Sequence, residues 1–431
     1  MSEVTRPLMQ NETGKAIVSE LREIRLLMQR DSYLNYGFHI NGAESDPEDA
    51  VTYVADAVGM TPAKMDYTND VFDYGSWEGA FFMPKPCILG QNGVVQKYLD
   101  PNDYSKDVDG NTVTIDSALT GANVMIEFPK IWMKVVPDTD DKSGTVYISN
   151  KQLDDEYHDF PYIASDKTHK EHFYMPAYNG SYVNDGTHDV MRSLSGMQVG
   201  KSKNASTEVA NAQYNGTGWY TEDAGEVMLI NMLLVLMGKS LDTQTVFGQG
   251  LHTSGSEALN DGFRTGVHNT KGLFYGTNSG TESSTTYTNA VKVFGIENWW
   301  GFQWRRYAGD INASGTRKIK LCWGQEDGSA TDNFNFDGAN YVDVGATPSG
   351  TSGGYISEVK FVSGKGLFSK VSSGQSDKYF CDGQWFNNGQ TDYAFRGGYS
   401  GSGLHVGAFC VFLRNASSVA DWSVGAALSY K

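Results

Sequence analysis

Cysteine is sparse: Cys87, Cys322, Cys381 and Cys410 are spread along 431 positions and none falls in a CxxC pair. That spacing supports neither a zinc site nor a dithiol redox motif. Proline is also scarce, at 11, and no long polar tract occurs, which excludes a collagen-like or largely disordered chain. Positive charge is in deficit, with 34 Lys and Arg against 51 Asp and Glu, a formal net charge of -17. Binding a phosphate backbone needs clustered cations, so no nucleic-acid partner is expected. The acidic balance is read as a solubility feature. Long apolar runs are missing too. The longest, residues 227–237, contains Asn231 and is far too short to cross a bilayer, so no membrane insertion is expected. The opening residues show no basic-then-apolar signal segment, so the expected place of synthesis is a cytoplasm without signal-peptide cleavage.

What is plentiful is glycine, at 49 residues, and aromatic side chains, at 13%. Glycine supplies backbone conformations that other residues resist, and rings supply contact area. Together they predict a loop-rich protein of short strands and tight turns pinned by aromatics. The length points to two or three units.

Along the chain, Ile17, Leu21, Ile24 and Met28 recur at helical spacing, which predicts an amphipathic helix over residues 15–30. Two readings of it stay open: a short oligomerising or attaching stalk, or a helix lying on its own domain. Residues 45–54 carry a helix-start signature at Ser45 and Asp46. Residues 74–86 are dense in rings, with Trp77, Phe81 and Phe82. Residues 123–135 and 147–149 favour strand. Polar loops are expected from there to about Gly218. Among them, residues 200–207 lack the spacing of a phosphate loop and read as a surface loop. Residues 226–238 are apolar all round, so a buried helix is expected there, with Gly238 as its C-cap. Short strands between glycine-rich loops fill the remainder, with no fixed-period repeat.

Two stretches carry a resemblance. Residues 295–304, Gly-Ile-Glu-Asn-Trp-Trp-Gly-Phe-Gln-Trp, resemble a segment of the formylglycine-generating-enzyme branch of the C-type lectin fold. The closing stretch runs from Arg396, Gly397 and Gly398 through Gly403, Gly407, Ala408, Phe409 and Leu413 to Trp422 and Gly425, Ala426, Ala427 and Leu428. It resembles the end of the variable proteins of diversity-generating retroelements, a group that includes phage receptor-binding proteins. The resemblance implies an α+β chain in three parts: an N-terminal helix (residues 1–33), a small α/β domain (34–115) and a C-type-lectin-like domain (116–431). The variable segment would be residues 385–425. It implies a phage tail protein presenting a diversified surface to a bacterial surface receptor, protein or glycan. Its other expected partners are virion tail proteins and further copies of itself, as a trimer. An alternative is a structural tail or baseplate component of the same fold.

The residues themselves bear on this. Gly407, Phe409, Val411 and Leu413 alternate as the inner face of a half-buried strand would, leaving Ala408, Cys410, Phe412 and Arg414 to face the other way. The positions at which the resemblance places variable residues are Tyr399, Gly401, Ser402, His405, Phe412, Arg414, Val419, Asp421 and Ser423. None is Lys, Glu, Gln, Met or Trp, types that adenine mutagenesis of Asn codons does not reach. Tyr and Arg are favoured at binding hot spots, and Tyr with Ser and Gly is the mixture of antibody paratopes. Trp385, Phe386, Asn387 and Asn388 stand either at the near edge of this surface or, for Trp385, in the core.

Other constellations carry less. The enzyme branch binds copper through a close cysteine pair, whereas Cys381 and Cys410 are far apart in sequence, and Arg305 and Arg306 replace the acidic residue and final tryptophan of its motif. No catalysis and no cofactor are expected. His158, His169 and His172 lie in a polar stretch and read as solvated residues, not metal ligands. The acidic runs 107–111 and 138–141 lack the closing Glu of a calcium loop.

Overall fold

The computed structural model describes residues 33–253, 261–281 and 288–431. The predicted helix over residues 15–30 lies outside them. The described chain is mixed α+β, mostly sheet with few helices.

Its apolar spine is the helix Ala224–Gly238, in which every residue except Met228 is buried. A capping box starts it: the Asp223 carboxylate accepts from the N–H groups of Gly225 and Glu226, and the Glu226 carboxylate accepts from the N–H of Asp223. The helix ends one residue later than expected. Lys239, not Gly238, takes the left-handed cap position at φ 50°. Gly238 stays in the last turn, where a Cβ would come within 2.9 Å of the Val246 side chain.

Three larger sheets surround this spine. In an antiparallel four-stranded sheet the order is Val51–Ala55, Asn35–Ile40, Gly144–Ser149, Trp132–Pro137. A seven-stranded antiparallel sheet runs in the order Trp219–Thr221, Leu428–Tyr430, His172–Pro176, Ala122–Pro129, Lys85–Gly90, Val95–Asp100, Asp103–Asp107. Its central strand, Ala122–Pro129, is buried at every residue but Pro129. Two polar side chains in that strand are satisfied internally. Asn123 accepts from Arg192 and Ser193, and Glu127 accepts from the hydroxyls of Tyr98 and Tyr174. The third sheet runs Val342–Asp343, Thr316–Ile319, Trp304–Ala313, Thr391–Arg396, Val411–Leu413, Gly383–Phe386, Gly353–Tyr355, with Val424–Ala426 parallel to Trp304–Ala313.

The N-terminal region differs from expectation. No helix occurs among described residues 33–115. Residues 46–50 form a turn in which the Asp46 carboxylate accepts from the N–H groups of Glu48 and Asp49, and Val51–Ala55 is a strand. The acidic cap signal therefore closes a turn, because the backbone beyond it is taken up by Asn35–Ile40. Strands of this region pair with Gly144–Ser149 and Ala122–Pro129, and Trp77 and Phe82 of the ring-rich stretch join the core that contains the buried helix. A second helix, Ala205–Gln213, stands where polar loop was expected. The Asn204 side chain caps it, accepting from Thr207 N–H at 2.9 Å. Its apolar residues form no clear stripe, so periodicity gives no warning of it.

Buried charge ties these layers together. Glu222, wholly buried, accepts from Arg305 Nη1 at 2.9 Å and from Arg396 Nη2 at 2.6 Å. Arg305 also donates to Asn179 Oδ1 and the Glu297 carbonyl. Arg396 donates to the Trp299 carbonyl, and its guanidinium stacks over the Trp299 ring at 3.6 Å. Burial pushes Arg305 down to about 10, so it stays charged at neutral pH. Removing one partner leaves the others buried and unpaired. Glu222→Ala should therefore lower the unfolding free energy by about 3–5 kcal/mol in urea denaturation, and Glu222→Gln should lose less.

At the surface, His169 sits between Asp159 at 2.8 Å and Glu326 at 2.9 Å. Burial works against the charged ring, but the two carboxylates outweigh it and raise the imidazole above its ordinary 6.5. A raised folded-state value means that this contribution is fully present below the unfolded value and lost as pH rises through the folded one. His169→Gln should therefore cost stability in mild acid and little at alkaline pH. An equal cost at every pH would remove the imidazolium from the account.

Candidate binding surface

The third sheet has two chemically distinct faces, and strand alternation assigns them. Phe395, Phe412 and Trp385 are directly opposed on three adjacent strands, Thr391–Arg396, Val411–Leu413 and Gly383–Phe386. Their neighbours Arg396, Val411 and Gln384 turn inward. On the strand Trp304–Ala313, Trp304 takes the ring face while Arg305 turns in to Glu222.

Trp304 is the hub of the outer layer. Its ring lies 5.2 Å from Phe412, 5.5 Å from Trp385 and 6.3 Å from Tyr399. Trp304 and Phe395 are buried, whereas Tyr399, Phe412 and Trp385 are half-buried and roof them. The series continues at both ends. Tyr399 meets Trp422 at 6.0 Å, and Trp385 meets His405, which stacks on Tyr355 at 4.0 Å. Arg306 lies under this layer, with its guanidinium 4.9 Å from the Phe395 ring. It is ion-paired with buried Glu208 of the helix Ala205–Gln213.

The residues singled out from the sequence fall into three groups on this frame. Tyr399, Gly401, Ser402 and His405 form one turn. Tyr399 N–H donates to Ser402 Oγ at 3.1 Å, and His405 Nδ1 pairs with the Ser402 carbonyl at 3.1 Å. Gly401 lies under the Tyr399 ring, where a Cβ would come 2.6 Å from the hydroxyl oxygen. Burial lowers the His405 imidazole, which favours the neutral ring. Phe412 and Arg414 follow on the strand side, Phe412 within the ring layer and Arg414 exposed beyond it.

Val419, Asp421 and Ser423 belong to a loop that flanks Trp422. The Val419 carbonyl accepts from Arg306 at 2.8 Å, the Asp421 carboxylate accepts from the N–H and hydroxyl of Ser423, and the Ser423 carbonyl accepts from Trp304 N–H. Trp304 and Trp385 thus link the rings of Tyr399, His405 and Phe412, and Trp422 brings the loop alongside.

Two expectations change. Ser402, expected at the surface, is buried, because its hydroxyl serves the turn. The alternation expected from Gly407 to Arg414 holds only over the strand Val411–Leu413 and the adjoining Arg414. Before that it is irregular, so Ala408 and Cys410 are buried rather than outward. Trp385 is half-buried, with one side against Trp304 and the other towards His405. Tyr355, absent from the sequence reading, sits in a glycine-rich run with no period to mark it.

The remaining constellations do not converge. His158 stacks on Phe160, His172 approaches Glu127, and His169 is committed to its carboxylates. Among the described residues no group of three or more His, Cys, Asp or Glu side chains is placed to hold a metal. The acidic runs are occupied by protein partners. Asp107 binds Lys97 and Asn111, and Asp140 accepts from Lys142 and Ser143. All the cysteines are free and buried, and burial followed by nearby carboxylates raises the Cys381 and Cys410 thiols. In comparisons with known proteins, no family model and no curated protein matches the chain.

The ring layer supplies structure as well as surface. Trp304→Ala should cost about 3–5 kcal/mol. Arg414→Ala, which removes an exposed side chain, should stay within about 0.5 kcal/mol. Urea denaturation of both variants checks the division.

Proposed function

We propose that this chain is a receptor-binding protein of a phage tail, with a C-type-lectin-like main domain that presents the Tyr399–Ser423 region to a bacterial surface molecule. One observation carries the reading. The segment that resembles a diversified terminus contributes half-buried rings and exposed small or charged residues to one face of a sheet, and the opposite face of that sheet is held by buried ion pairs. Such a division lets outer side chains change while the strands beneath stay in register.

Tyr399, Phe412 and Trp385 offer rigid contact area at low entropic cost, and the exposed Arg414 tolerates exchange. The receptor is a bacterial surface protein or glycan. Several copies, three in the expected trimer, raise apparent affinity without any new contact. The protein would be made in the bacterial cytoplasm and carried on the virion, bound to other tail proteins. No catalytic step and no cofactor enters this function.

Sequencing the last part of the gene across a natural phage population tests it. Substitutions should concentrate at the codons of Tyr399, Gly401, Ser402, His405, Phe412, Arg414, Val419, Asp421 and Ser423, with Trp304 and Phe395 unchanged. Sparse variation spread evenly over the segment would replace this reading with a fixed structural role in the tail.

A further inference from the structure

The strand Leu428–Tyr430 pairs with Trp219–Thr221 and brings Lys431 beneath the start of the helix Ala224–Gly238. There Lys431 Nζ contacts Asp223 Oδ2 and lies 3.5 Å from Glu226 Oε1. The three side chains are 4%, 2% and 0% exposed. The other Asp223 oxygen, Oδ1, accepts from two backbone N–H groups at the helix start, Gly225 at 3.0 Å and Glu226 at 3.1 Å. Glu226 Oε2 accepts from Asp223 N–H at 2.9 Å. Its Oε1 is buried and, beyond the approach of Lys431, has no hydrogen-bond partner. A capping box needs only one oxygen of Glu226. The second oxygen has no role in that motif.

We propose that Lys431 and Asp223 condense into an intramolecular isopeptide bond, with Glu226 as the proton carrier. Burial, and then the neighbouring Asp223 carboxylate, raise Glu226 above the ordinary carboxyl range, which keeps a proton on it. Burial opposes the Lys431 charge, but the Asp223 carboxylate beside it outweighs that, so the resting contact is an ion pair. Transfer of one proton across that contact gives a neutral amine and a neutral acid, a pair that a buried site penalises less than water does. The Nζ lone pair then attacks Asp223 Cγ. A C–N bond forms and the carbonyl electron pair moves to Oδ1, where the Gly225 and Glu226 N–H groups stabilise the negative charge.

Glu226 delivers its proton to Oδ2 and takes one from Nζ in its place. The C–Oδ2 bond breaks, Oδ2 leaves as water and the Oδ1 carbonyl re-forms. Amine and acid give amide and water, with no oxidant, reductant or further reactant. Oδ1 remains in place to cap the helix. The bond would tie the last strand to the helix start and remove conformational freedom from the unfolded chain, as a long-range disulfide does. None of this depends on what the outer surface binds.

Mass spectrometry of the denatured full chain tests the proposal. The wild-type protein should weigh one water less than its sequence, and its digest should contain a branched peptide joining Asp223 to Lys431. Lys431→Arg keeps the charge but should restore the full mass, and Glu226→Gln should prevent or greatly slow the loss. Folded wild-type protein at full mass, or a loss of water without that branched peptide, overturns the bond. Unimpaired condensation in Glu226→Gln overturns the role of Glu226.

Discussion

The contact on which the rest of the structure depends is the one between Glu222 and its two arginines. Arg305 comes from the strand Trp304–Ala313 of the third sheet, Arg396 from the strand beside it, and Glu222 stands next to Asp223, which caps the buried helix. A carboxylate wholly removed from water is tolerable only with its charge met and its lone pairs used. Both conditions hold here, and they hold only in one register. A slip of one residue along either strand would turn an arginine to the ring face and leave Glu222 uncompensated. The same slip would push Trp304 or Phe395 inward, so the charge cluster and the aromatic layer specify each other.

That coupling gives the outer surface its character. Trp304, Phe395 and Arg306 form a floor that is buried and tied to the helix Ala205–Gln213 through Glu208. Above it, Tyr399, Phe412 and Trp385 lie half in the core and half in reach of a partner. Exchange at these ring positions changes packing as well as contact chemistry. Exchange at Arg414 changes contact chemistry alone, whereas a side chain at Gly401 would displace the Tyr399 ring. A surface with both kinds of position keeps its shape over a wide range of side chains, as the proposed recognition of changing receptors would demand.

Several features were legible because a strong local pattern coincided with the tertiary outcome. The apolar run at residues 226–238 had no polar face, and burial on all sides was its only stable solution. Val411 to Arg414 alternated and became an edge of the ring layer. Where a local signal had more than one physical use, the structure chose another. Asp46 has the chemistry of a helix cap and closes a turn. Asn204 caps a helix that has no apolar stripe to announce it. Ala408 and Cys410 occupy outward positions of a strand that does not extend that far.

By itself the sequence determined composition, the buried helix and the positions of several strands. These follow from interactions between near neighbours, which periodicity and turn chemistry record. The tertiary structure alone decided that Glu222 would lie between Arg305 and Arg396, that Tyr355 would stack on His405, and that Lys431 would meet Asp223 and Glu226. Each joins residues far apart in the chain, and the free energy that unites them comes from shared burial. That quantity has no value until the sheets have closed.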